Sequence, residues 1–553
     1  MQPSVPYSAR TRRTRRNRAI AIASAAILAA VLVPSGGAMA WGGGWGGGKS
    51  PACDTKNLNI SKIRECLTAD GVVGHMREFQ KIADENGGNR AAGLPGYDAS
   101  AAYVQKVMKK AGWKVTTHQF DYTFVGPSSL SQLTPVAADY DSESFTGTGY
   151  GPVEGTVIPV DTVLNQPTED PVTSGCEPED FAGLGFDAPG VQIALVQRGT
   201  CEFGVKARNA QDAGAEAVIL FNQGNTPERS GPLVGTLFGV NTEPLDVPVV
   251  GASFADGVAL AAAGSTAAID VPLPEQRPQI NVLAELPGRT SDNIVMAGAH
   301  LDSVQAGPGI NDNGSGSAAL LEVGQKLAKL KPQNTIRLAW WGAEEDGLLG
   351  SQAWVDSLSP EQVDDIALYL NFDMVASPNY IHMVYDSDQS SWPAPVEVPA
   401  GSEAIEDLFE RYYTALKVPY DDAEYSGRSD YEAFILAGIP SGGLFTGAEV
   451  VKTEEQAAIW GGVAGEQYDQ CYHLACDTID NFDTKALYVN LGAIATAVLE
   501  FAGSTESVNG VKGQWLTIGD LLPKTPAGPK LTVNNPGGGG LGHDHSHGHT
   551  EKS

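Results

Sequence analysis

The sequence predicts an α/β fold: a mostly parallel central sheet flanked by helices, interrupted by an inserted β-rich domain. Three observations carry this. Between residues 279 and 502, short apolar runs alternate with helical patterns, the rhythm of strands joined by crossover helices. From about 126 to 264 the character shifts to Val, Thr, Gly and Pro with many short apolar runs. And 553 residues, 42% of them hydrophobic, are too many for one ordinary domain and enough for separate cores.

The chain opens on Arg10, Arg12, Arg13, Arg15, Arg16 and Arg18, then an apolar run at 19–33 and Ala38-Met39-Ala40. This is the pattern of a cleaved signal peptide, expected over 1–40, and hence of a secreted protein. A single membrane anchor is the alternative; the run is short for one. The paired arginines also suit twin-arginine export. A glycine linker follows at 41–50. Helical spacing marks 67–85, where Val72, Val73, Met76, Phe79 and Ile82 recur at threes and fours. Asp98 is expected to cap a second helix over 99–111, Gly112 to end it, and 113–122 alternates as a strand. Within the middle region, 191–196 and 217–221 read as strands around a helix at 205–213. After it, strands are expected at 279–286, 294–299, 335–341, 366–372, 380–385 and 440–445. Helices are expected at 317–330, 348–358, 402–416, 431–437 and 485–502. The tail, 506–553, ends in a Gly/His-rich segment carrying His543, His545, His547 and His549. It cannot build a core.

The formal charge is −30, and loss of the first forty residues leaves thirty basic against sixty-six acidic side chains. Such a chain repels nucleic acid and anionic membranes, so neither is expected as a partner. Six cysteines in an exported chain suggest disulfides. The simplest pairing is local: Cys53–Cys66, Cys176–Cys201 and Cys471–Cys476.

The chemistry gathers at strand ends. Residues 299–317, AHLDSVQAGPGINDNGSGS, are rich in glycine and hold one histidine and two aspartates. Alone, they read equally as a surface turn or a ligand-bearing loop. In a parallel sheet, ligands sit beyond the carboxyl ends of the strands. There the sequence places His300 and Asp312 after one strand, Glu344 and Glu345 after the next, Asp373 after a third, and His473 near the end. Singly, each has an ordinary structural use; delivered to one sheet edge, they become a metal centre. Two imidazoles and three or four carboxylates suit zinc, and suffice for two ions if one carboxylate bridges. Asp312, among glycines, is the best bridge. His300 and Asp373 would then serve one zinc and Glu345 and His473 the other, with Glu344 free as general base and Asp302 orienting His300. Cys471 and Cys476 could ligate a structural zinc instead, but a disulfide fixing the Tyr472-His473 loop fits an exported chain better.

Two resemblances follow from these motifs. Residues 193–201, IALVQRGTC, with 209–215, NAQDAGA, resemble the protease-associated (PA) domain. His300-Leu301-Asp302-Ser303, the run 309–316, Trp340 to Glu345, Leu370 to Met374, Gly427 to Asp430 and Cys471-Tyr472-His473 occur in an order similar to the secreted dizinc aminopeptidases of the aminopeptidase Y and S type. That resemblance implies a zinc exopeptidase-like fold, divided as peptidase at 51–128 and 276–505 around a PA insert at 129–275. It implies two zinc ions on His300, Asp312, Glu345, Asp373 and His473, with Glu344 as general base and Tyr472 steadying the tetrahedral intermediate. It places Arg428 and Phe445 against substrate and a cis peptide after Asp312. The substrates would be peptides or proteins with a free N-terminus, with a large apolar first residue such as Leu. A dizinc carboxypeptidase or amidohydrolase is the rival reading, and a non-catalytic PA-bearing binding protein a second.

Overall fold

The computed structural model describes residues 62, 65–167, 171–226, 229–238, 243–513 and 522–530. The expected signal peptide, the glycine linker, Cys53 with its expected bond to Cys66, and the histidine-rich tail lie outside the described residues. The helices Ala69–Glu85 and Pro95–Ala111 precede β1 (Lys114–Phe124). The second begins earlier than expected. Leu94 is its N-cap and Pro95 its first residue, and Asp98 stands in the first turn rather than at the cap. Proline suits that position because its missing N–H would have no partner there.

The insert then forms its own sheet. Its strands are β2 (Ser129–Thr134), β3 (Ala138–Tyr140), β4 (Gly151–Val160), β5 (Gln192–Gln197), β6 (Ala217–Phe221), β7 (Val249–Ala252) and β8 (Thr266–Val271), in the order β3-β2-β8-β4-β5-β6-β7. β4 to β7 run parallel, with the helix Phe203–Ala213 crossing between β5 and β6. Cys176 and Cys201 are bonded.

Next comes β9 (Glu275–Leu286), which pairs antiparallel with β1 along its length, Phe124 opposite Glu275. The insert therefore leaves and rejoins the chain at two adjacent strand ends. A domain placed at a hairpin tip disturbs no other pairing, which is why the larger sheet tolerates it.

The remaining strands are β10 (Thr290–His300), β11 (Asn334–Trp341), β12 (Ile366–Phe372), β13 (Met383–Tyr385), β14 (Asp421–Ala423) and β15 (Ser441–Phe445). The eight-stranded sheet runs β1-β9-β11-β10-β12-β15-β13-β14. β11, β10, β12 and β15 are mutually parallel. Their near-continuous apolar sequences follow from burial on both faces. On β10 and β11 the faces alternate: Val295, Ala297, Ile336 and Leu338 enter one core, and Ile294, Met296, Ala339 and Trp341 the other. The strand expected at 380–385 is shorter, and β14 lacks an apolar run that could have announced it.

Helices Gly314–Leu327 and Thr484–Gly503 cover the first face and Leu349–Asp356 and Tyr431–Leu436 the second. Thr484–Gly503 is apolar on all sides and long enough to span a bilayer, yet it is almost wholly buried in the domain.

Candidate metal centre

The chain passes from β10 to β11 on one side and back to β12 on the other. The loop after β10 therefore sits at a reversal of strand order, where α/β sheets open a crevice. Register does the rest. His300 lies opposite Trp341, and Gly298 opposite Asn371. So His300 ends β10 beside Asp373, just past β12, with Glu344 and Glu345 just past β11.

The two oxygens of Asp312 face different histidines. Oδ1 lies 3.2 Å from His300 Nε2 and Oδ2 lies 3.3 Å from His473 Nε2. Asp373 Oδ1 is 3.3 Å from His300 Nε2, and Glu345 Oε2 is 3.0 Å from His473 Nε2. Glu344 Oε2 stands back at 3.8 Å from His300. Each imidazole thus has its own carboxylate and a half share in Asp312. Burial alone would favour neutral His300, but Glu344 and Asp373 outweigh it and raise its pKa; Glu345 and Asp312 do the same to His473.

The donors fit a metal. Oε1 of Glu345 and Oδ1 of Asp373 are buried without a hydrogen-bond partner of good geometry, although both carboxylates crowd the imidazoles. Side chains that converge without bonding one another are arranged about a common point between them. Nitrogen and oxygen donors in this ratio suit zinc.

Backbone geometry supports the same convergence. Ala343, Met374 and His473 have φ of +56°, +45° and +59°. Each is His473 itself or abuts Glu344 or Asp373. Non-glycine residues rarely adopt this region, and where they do, function commonly holds them there. The Asp312–Asn313 peptide is cis.

Outer partners hold these side chains. Ser429 Oγ donates to Asp373 Oδ2 at 2.6 Å. Asp302 faces His300 Nδ1 at 3.7 Å, long for a hydrogen bond. Its oxygens instead accept the backbone N–H groups of Glu344 (3.3 Å) and Glu345 (3.2 Å), so it fixes the acidic pair as much as the imidazole. Tyr472 stacks on His473 with ring centroids 3.8 Å apart. Its hydroxyl accepts from Arg428 Nη2 at 3.2 Å. Arg428 Nη1 in turn donates to Glu449 at 2.8 Å. Cys471 and Cys476 are bonded and close the small loop that carries Tyr472 and His473.

Two supports escaped sequence reasoning. Asp477 is buried, and its carboxylate accepts the N–H groups of Asn311 (2.9 Å) and Asp312 (3.0 Å). Arg90, fully buried, donates Nε to Pro308 O (2.8 Å), Nη2 to Gly309 O (2.5 Å) and Nη1 to Leu301 O, while its backbone N–H reaches Ser303 Oγ (2.9 Å). Its guanidinium clamps the glycine-rich loop from below. In the sequence it follows Gly87-Gly88-Asn89, which signals only a turn. Arg90→Met should leave these carbonyls without donors and destabilise the fold by about 3 kcal/mol or more. Urea unfolding of the metal-loaded protein measures it; an unchanged midpoint would remove Arg90 from this role.

The side chains of the centre line a cleft together with the apolar Met374, Met383, Tyr385, Trp392, Tyr431 and Phe445, with Arg428 beside them. The insert approaches the same region. Gln305 of the metal loop donates to Val125 O at the insert's root (2.9 Å), and Glu143 lies within electrostatic reach of His473.

Residues 281–498 match peptidase family M28 and residues 153–260 match the PA domain. An aminopeptidase of Pseudomonas aeruginosa is 45% identical over 471 residues, 83% of this chain and 85% of the relative. Leucine aminopeptidase 2 of Trichophyton rubrum is 43% identical over 379 residues, 67% of this chain and 71% of the relative. Among solved structures, a zinc aminopeptidase from Bacillus subtilis shares the fold, with a TM-score of 0.59, 24% identity, and coverage of 82% of this chain and 98% of that one.

Proposed function

The chain belongs to peptidase family M28 and is a metallo-aminopeptidase, and from that premise we propose that it is a secreted enzyme holding two zinc ions, which removes large apolar residues such as Leu from the N-terminus of peptides and proteins. The observation that carries the reading is the pair of half-sites around Asp312, one oxygen turned to each histidine. His300 and Asp373 would hold one ion, Glu345 and His473 the other, and Asp312 both. When bound, zinc would supply Lewis acidity and lower the pKa of water to about 7.

The chain's own residues do the remaining work. Glu344 is buried beside the ligands but farther from His300 than they are. It takes the proton of the attacking water and returns it to the departing amine. Tyr472, held by Arg428, donates its hydroxyl to the oxyanion of the tetrahedral intermediate. The carboxylates around the centre favour a cationic α-amine and limit cleavage to the first bond. The apolar wall from Met374 to Phe445 takes the first side chain. The two disulfides suit an oxidising, extracellular setting.

A carboxypeptidase would need a free cation to hold a terminal carboxylate. Arg428 lines the cleft but is spent on Glu449 and Tyr472, which favours the aminopeptidase reading. Leu-p-nitroanilide should be cleaved at least about 10⁴-fold better, in kcat/KM, than its N-acetylated form. Hydrolysis of only an N-blocked peptide with a free C-terminus would sink the proposal.

A further inference from the structure

Seven acidic side chains line the cleft, and six of them are already engaged. Four belong to the metal centre. Asp422 accepts from Ser390 and Ser391, and Glu449 is bound by Arg428. The seventh, Glu424, is half-buried, and its carboxylate has neither a hydrogen bond nor an ion pair among the described residues. Burial raises its pKa, since a charge drawn from water without a partner is unfavourable.

The fold aims this side chain. Ala423, the last residue of β14, pairs with Tyr385 of β13, and its carbonyl accepts the N–H of Asp386 at 2.9 Å. Tyr425 is buried, stacks on Tyr385 with ring centroids 5.2 Å apart, and donates to Ser441 O at 2.8 Å. Extended chain turns successive side chains to opposite sides. With Tyr425 fixed in the core, Glu424 faces the cleft. Ser426, Arg428 and Ser429 continue the same lining, and Ser429 bonds Asp373. Glu424 therefore stands on the segment that leads to the metal centre.

Tyr385, Trp392, Tyr431 and Phe445 line the cleft with it. Such a lining has two parts. Aromatic rings hold an apolar stem and attract a cation near their faces, and a lone carboxylate takes the charge at the end of that stem. Leucine uses the first part only. Lysine and arginine carry a cationic head on a long aliphatic stem and use both. Among the lining residues Arg428 is the one lysine or arginine, and it is spent on Glu449 and Tyr472. Glu424 is left without a counter-ion from the protein, so an incoming cation meets no competitor.

We propose that Glu424 is the counter-charge for a lysine or arginine at the substrate's N-terminus, so that the cleft admits long basic first residues as well as leucine. This rests on the peptidase reading and widens its substrate class. An acidic first residue is disfavoured by the same carboxylate.

The test assays the zinc-loaded chain on the p-nitroanilides of leucine, norleucine and lysine at neutral pH. Norleucine has the straight stem of lysine without the ammonium, so their comparison isolates the charge. In the parent, kcat/KM for lysine should equal or exceed that for norleucine. In Glu424→Gln the lysine-to-norleucine ratio should fall by about tenfold, the scale of a hydrogen bond to a charged group, with the change carried by KM. In Glu424→Lys it should fall further. Added salt should lower the ratio in the parent and leave it unmoved in Glu424→Gln. A parent that cleaves leucine but not lysine, or a ratio that neither variant moves, would overturn the proposal and leave the peptidase reading standing. A parent that cleaves none of the three would remove both.

Discussion

Glu344→Ala should lower kcat by about 10³-fold, within the range that a positioned acid–base group contributes, while the bound zinc stays in place. Two features of the structure require both halves of this result. Glu344 is buried at the centre, and burial with the nearby charges of Asp373, Asp430 and Glu345 raises its proton affinity, as suits a group that must accept and release a proton. It also stands farther from His300 Nε2 than Asp312 or Asp373 does, so removing it leaves every ligand in position. Steady-state kinetics on Leu-p-nitroanilide, paired with elemental analysis, separates the two. Loss of zinc along with activity would make Glu344 a ligand and leave the reaction without its base.

Asp312→Ala should do the opposite first: the metal goes, and activity with it. Each histidine then keeps one carboxylate, Asp373 for His300 and Glu345 for His473. Neither pair makes a three-residue zinc site. Outer-sphere changes alone typically cost 10–100-fold in metal affinity, so the loss of a shared ligand should exceed about 10²-fold at both positions together. Elemental analysis should be run on protein lacking the histidine-rich tail, which would otherwise contribute zinc of its own. Two zincs in the parent and fewer than one in the variant are expected. A variant that kept one full zinc would show that Asp312 serves a single ion.

Much of this centre was legible because parallel strands end together. Once 294–299, 335–341 and 366–372 read as buried strands, the residues after them had to share an edge, and His300, Glu344, Glu345 and Asp373 fell into one place without any knowledge of the fold's details. His473 follows no expected strand, and its role came from the Cys471-Tyr472-His473 motif of the resemblance. What stayed hidden is what depends on distant partners. Arg90 and Asp477 grip the loop from opposite sides through backbone carbonyls and N–H groups, and a contact with backbone leaves no signature in the identity of the partner residues. β14 is three residues long and sits among acids, so it has no apolar period to detect. The sequence pattern of the helix Ser402–Leu416 does not show that Glu406 and Glu410 are buried; the fold alone brings them inside. Asp302 was expected to act on His300 alone; its bonds to Glu344 and Glu345 needed the strand register to become visible.

The proposed metal-binding residues are dispersed from His300 to His473, on loops that follow different strands. Chains are made and fold from the N-terminus, so the order of synthesis has a consequence for when the protein can act. An emerging chain carries His300, Asp312 and Glu345 long before it carries His473, and no partial product holds both halves of the centre. If these residues hold the ions as proposed, activity waits until the last loop has arrived and closed. On the proposed ligand set, truncation short of residue 473 should abolish turnover rather than merely weaken it.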